Sequence, residues 1–123
     1  MDQSISISTE ARYVDKESNA EQERFVFAYT VVISNDGDRS VQLLSRHWHV
    51  TDAHGEVQEV QGSGVVGQQP RLAPGEAFRY TSAAVLSTPV GSMHGHYGFV
   101  DDEGSEFAAP IPAFSLSLPN LVH

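Results

Sequence analysis

Apolar and polar residues alternate with a period of two along most of this chain, and that alternation rules out a helical fold before anything else is considered. The strongest run is Arg24 to Asn35, where Phe25, Phe27, Tyr29, Val31 and Ile33 fall on one face of an extended strand. Its other face carries Val26, Ala28 and Val32, so the strand is expected at the centre of a sheet and covered on both sides. Ser4 to Thr9 alternates around Ile5 and Ile7. Val41 to Thr51 puts Leu44, Trp48 and Val50 on one face. Shorter runs follow at Val57 to Gln61, Glu76 to Ser82 and Ser92 to Val100, the last with Met93, Tyr97 and Phe99 aligned. Glu106 to Leu118 closes the series, and its Pro110 and Pro112 mark an edge or a bulge, because proline cannot donate to a ladder. Asn35-Asp36-Gly37, Asp52-Ala53-His54-Gly55 and Asp101-Asp102-Glu103-Gly104 combine Asx residues with a glycine and are expected to close hairpins. No window of a dozen residues has helical periodicity. Seven to eight short strands at this spacing specify an all-β sandwich, and 123 residues make it one domain over 1–123.

One motif pulls in another direction. Gly62, Gly64 and Gly67 have the G-x-G-x-x-G spacing that cradles pyrophosphate in dinucleotide-binding folds. That chemistry needs a helix after the turn, whose N-terminal N–H groups face the phosphates. Here the sequel is Gln68-Gln69-Pro70-Arg71-Leu72-Ala73-Pro74-Gly75, in which two prolines and a glycine forbid a helix. Ser87 stands where the ribose-binding acid belongs. A doubly wound nucleotide fold is excluded by context. Two uses remain for the glycines. One is a long crossing loop between sheets, with glycine supplying positive φ and close packing. The other is an anion nest of backbone N–H groups at Gly62, Gly64 and Gly67, with Arg71 as counter-charge.

Charge narrows the partners. Sixteen acids against seven bases give a net charge of −9, which opposes general binding to nucleic acid or anionic membrane. A basic partner surface would complement it. No run approaches the ~20 apolar residues of a membrane span, and the start, Met1-Asp2-Gln3-Ser4, has no leader character. A cytoplasmic protein is expected. With no cysteine there is no disulfide, thiolate ligand or thiol nucleophile.

The histidines form a less obvious constellation. His47 and His49 share a strand face, and Trp48 claims the opposite face for the core, so both imidazoles point outward. His94 and His96 repeat the arrangement, with Met93, Tyr97 and Phe99 turned inward. In a sandwich of this topology the strand at 41–51 and the strand at 92–100 are neighbours. Four imidazoles then lie on one outer face if the registers coincide, and neutral imidazole suits Co, Ni, Cu and Zn ions. Magnesium prefers oxygen ligands and retained waters. If the registers do not coincide, the four are ordinary surface histidines. The acids Asp36, Asp38, Asp101, Asp102 and Glu103 occupy turns, and no EF-hand, H-E-x-x-H, G-x-S-x-G or Walker pattern is present.

The chain resembles the ApaG family. The matching segments are Phe25-Val26-Phe27-Ala28-Tyr29-Thr30, Val41 to Arg46 with Trp48, and Val60 to Pro70. Ala73-Pro74-Gly75-Glu76, Tyr80-Thr81-Ser82, Gly91 to Tyr97 and Ile111 to Leu116 also match. The likeness runs from about residue 5 to the C-terminus; Ala83-Ala84 departs from it, where a glycine is expected after the serine. The resemblance implies an immunoglobulin-like or fibronectin type III-like sandwich and an association with cobalt resistance and magnesium efflux. It implies a non-enzymatic interaction module, with an unidentified protein partner and self-association left open. No bound cofactor is expected beyond a divalent metal such as Co2+ in the histidine alternative. A phosphate or nucleotide binder through the glycine loop is the remaining alternative.

Overall fold

The computed structural model describes residues 4–119. Eight strands account for most of them: β1 (Ile5–Tyr13), β2 (Phe25–Asn35), β3 (Val41–Asp52), β4 (Val57–Ser63), β5 (Arg71–Leu72), β6 (Ala77–Leu86), β7 (Val90–Asp101) and β8 (Glu106–Ser117). They form two antiparallel sheets, one ordered β1-β2-β6 and the other β4-β3-β7-β8 with β5 beside β3. This is a β-sandwich of the fibronectin type III type, and the expected fold class stands. The termini of the expected 1–123 domain lie outside the described residues. Among the described residues no helix is long and apolar enough to cross a membrane.

The alternation read from the sequence builds the core. Phe27, Val31 and Ile33 from β2 meet Val41, Leu43, Trp48, Tyr97, Phe99 and Leu116 of the facing sheet, all essentially inaccessible. Trp48 sits edge-on to Tyr29, Tyr97 and Phe114, with ring centroids 5.4, 6.1 and 6.0 Å away. Edge-to-face contacts of this kind add to burial because the positive ring edge meets a negative face. The Tyr80 and Tyr97 hydroxyls hydrogen-bond to each other beneath β6.

Four sequence expectations are corrected. β2 is the central strand of its sheet, but its second face is covered only at Val26. There the 3₁₀ segment over 15–22 folds across, with the Val14 N–H donating to the Val26 carbonyl and the Val26 N–H donating to Ser18 Oγ. Ala28, Thr30 and Val32 are half-exposed. Leu44 is not in the core; Leu43 is. A bulge between Leu43 and Ser45 inserts one residue, so Val41 and Leu43 point inward on one parity and Trp48 and Val50 on the other. Asn35-Asp36-Gly37 is no hairpin, because it carries the chain from one sheet to the other. Buried Asn35 pins this crossing by donating from Nδ2 to the Arg39 and Leu72 carbonyls. The glycine loop does not cross between sheets. β4 and β5 both pair with β3, at Ser45↔Ser63 and Val41↔Leu72, so they are two pieces of one edge strand. Residues 64–70 are an excursion between the pieces, set against the bulge at Leu44.

The other two turns use the expected chemistry. Asp52 Oδ1 accepts from the His54 and Glu56 N–H groups, and Gly55 takes φ 83°. Asp101 Oδ1 accepts from Glu103 and Ser105, and Gly104 takes φ 84°. Pro110 and Pro112 lie on β8, an edge strand, beside a register shift opposite Met93 and Gly95. The two flanks of the sandwich differ. Edge strands β1 and β8 pack together on one side. Edge strands β4 and β6 leave a cleft on the other.

Candidate metal-binding face

β3 and β7 pair with His47 opposite His96 and His49 opposite His94. The four imidazoles therefore share one outer face of the five-stranded sheet, while Trp48, Met93 and Tyr97 between and beside them are buried. The rings are close. His49 and His94 stack with centroids 4.9 Å apart and planes 12° from parallel. His47 lies 5.0 Å from His96 and 4.6 Å from His49. His47 and His49 are half-buried, and His94 and His96 are exposed.

A glycine makes this approach possible. Gly95 sits directly opposite Trp48, and a Cβ there would collide with the His47 carbonyl. The sequence His94-Gly95-His96 thus presents two imidazoles from a strand pressed against its neighbour.

A fifth donor comes from β4. Glu59 pairs with His49 across the ladder, and its Oε1 reaches diagonally to within 2.9 Å of His47 Nε2. The hydrogen bond from His47 holds the Glu59 carboxyl below its usual range, helped by the charge of His49 nearby. Candidate ligand atoms of His47, His49 and Glu59 lie within 4.8 Å of one another. Glu59 was not singled out from the sequence; counting outward along both strands from the turn at 52–56 would have set it opposite His49.

The candidate anion residues are arranged differently. Val66 and Gly67 take φ 42° and 78° in a tight turn closed by reciprocal hydrogen bonds between Val65 and Gln68. The Gly64 N–H donates to the Leu44 carbonyl, so the amides at 64, 65 and 68 all have backbone partners. Gly64 has φ 63°, and a Cβ there would strike the Gln68 carbonyl. Gly62 is covered by the Arg46 guanidinium, 2.9 Å from where its Cβ would stand. Arg46 Nη1 donates to the Ser63 and Gly64 carbonyls at 3.0 and 2.9 Å, which ties the loop to β3. Arg71 lies in β5 opposite Gln42. These contacts account for the glycines by turn geometry and close packing. Arg46, which the sequence reading had placed only within a matching segment, is the cation at this loop's base.

The fold and this face define a compact fibronectin type III-like domain with an imidazole-rich sheet surface. The ApaG domain family model (DUF525) matches residues 15–101. Protein ApaG of Acidithiobacillus ferrooxidans is 57% identical over 119 residues, covering 97% of this chain and 94% of that protein. Protein ApaG of Azoarcus sp. is 53% identical over the same length, with the same coverage of each chain. A crystal structure described as the putative ApaA protein of Bordetella pertussis superposes with a TM-score of 0.93 at 50% identity, covering 95% of both chains. The chain belongs to the ApaG family.

Proposed function

We propose that this chain acts by binding and not by catalysis, and that a divalent transition-metal ion is a ligand of the β3–β7 face. The observation that carries the reading is the register, which sets His47 against His96 and His49 against His94 with Glu59 alongside. Imidazole nitrogens with one carboxylate oxygen suit Co2+, Ni2+, Cu2+ or Zn2+ and not the all-oxygen shell of Mg2+. The net charge of −9 draws cations toward the surface. His47, His49 and Glu59 already converge, and the exposed His94 and His96 rings complete the shell by rotation about their side-chain bonds. In this reading the cobalt association of the family reflects direct contact with the ion, and any magnesium effect is indirect.

An amide NMR titration of chelator-stripped protein with Co2+ tests it, because the paramagnetic ion broadens only nearby signals. Saturable broadening centred on residues 47–49, 59 and 94–96 is the expected result. His47→Ala with His49→Ala should remove it, and acidification should weaken it, since protons compete for imidazole nitrogen. Broadening that is diffuse, or unchanged in the double variant, would refute the reading.

A further inference from the structure

On the opposite side of the β3 backbone lies a site that the histidine reading does not touch. The cleft between the β4 and β6 edges has a volume of about 340 Å³, in the range of small-molecule pockets. Its lining is mixed: Trp48, Val50, Met93, Val60 and Val85 supply apolar side chains, and Gln58 stands among the polar ones. Among the described residues, Arg46 is the one charged residue that lines it. This cation sits in a strongly acidic chain, yet among the described residues no carboxylate lines the cleft with it. The guanidinium is already oriented, because Nη1 is fixed by the Ser63 and Gly64 carbonyls and the group lies flat over Gly62. Its hydrogen bonds among the described residues use Nη1 alone, so the Nη2 and Nε donors remain for a ligand. Tyr29 and Ser82 bring hydroxyl groups to the same cleft. Burial raises the Tyr29 hydroxyl, which keeps it a hydrogen-bond donor at neutral pH.

A preoriented guanidinium beside hydroxyl groups, in a trough that also presents apolar side chains, recognises one chemistry. Two parallel N–H groups match the two oxygens of a carboxylate, and the trough takes an apolar body attached to it. We infer that the β4–β6 cleft binds an organic carboxylate carried on a compact apolar group, with Arg46 as its anchor. A free acid and the C-terminal residue of a peptide both offer that chemistry. The inference stands apart from the metal reading, since its residues lie between the sheets and not on the histidine face.

Parallel amide NMR titrations test it. The probes are 4-phenylbutyrate and an acetylated tetrapeptide ending in a free-carboxylate valine, each with its primary amide as control. The expected result is saturable shifts confined to residues 46, 48, 58–60 and 82–85, with the amide at least about tenfold weaker, in keeping with the strength of a charge-assisted pair. Response to both acids, or to one of them, supports the site and says which source it accepts. Arg46→Gln should abolish the response but also loosens the glycine loop. Val60→Glu therefore serves as the second variant: it changes a partly exposed residue, leaves Arg46 in place and sets a like charge against the ligand. It should weaken binding at least about tenfold while Val60→Lys retains it, as like-charge repulsion requires. No response to either acid, equal response to acid and amide, or indifference to Val60→Glu would overturn the inference.

Discussion

The two flanks of this sandwich are each bordered by a pair of edge strands, to opposite effect. On one, β1 and β8 pack together, and β8 sends Ile111 and Leu116 into the core with Phe107 and Phe114 against it. On the other, β4 has no fully buried residue, and Val57 and Val85 are 56% and 46% exposed. The cause is in the strands. β4 is polar at Gln58, Glu59 and Gln61 and stops at the glycine excursion, so it has little to bury against β6. Burial is thus concentrated at the sealed flank, and the open flank is left with a cleft.

Three substitutions test that division. Leu116→Ala, at a fully buried position beside the sealed flank, should cost about 2–5 kcal/mol in urea denaturation. A loss below about 1 kcal/mol, within the range of surface substitutions, would show that the flank is not sealed. The middle effect concerns the tyrosine pair under β6. Burial pushes both the Tyr80 and Tyr97 hydroxyls up from the ordinary value of 10.0. The unfolded chain therefore releases these protons first, so stability is full below about pH 10 and falls as the pH rises further. The slope is up to about 1.4 kcal/mol per pH unit for each proton held. Tyr97→Phe removes one such proton and should make the alkaline fall shallower by about that slope. An unchanged slope would mean that the pair is already open to hydroxide through the cleft. The smallest effect is Val60→Ser on the open flank, expected within about 0.5 kcal/mol of the parent. A larger loss would make β4 part of the core and narrow the difference between the flanks.

Much of this was legible in the sequence because the side-chain period of a strand is two. Trp48 between His47 and His49, and Met93, Tyr97 and Phe99 on the parity opposite His94 and His96, fixed which way the imidazoles face. The same parity misplaced Leu44. Leu43 and Leu44 are both apolar, so nothing in their chemistry marks where the extra residue enters, and only the pairing with β7 reveals the bulge. The register of β7 against β3 was likewise a condition and not a deduction. Glu59 and the cleft were missed for a related reason. The cleft depends on strands distant in sequence, and Glu59 on the register of the β3–β4 hairpin; a polar residue on an edge strand looks the same whether it meets solvent or a partner. The prolines after the glycine motif exclude the helix of a doubly wound fold, and the all-β structure agrees. The motif's place as an excursion within one edge had no signature in the spacing.

That excursion has a consequence for the molecule in a crowded solution. An exposed strand edge invites pairing with the next copy of the same chain, and long uninterrupted edges propagate into fibrils. Here one border of the larger sheet is divided into pieces of seven and two residues. The opposite border, β8, carries two prolines with no N–H to offer. Neither border of the larger sheet gives an incoming strand a continuous ladder, so backbone geometry as well as charge works against fibril growth from it.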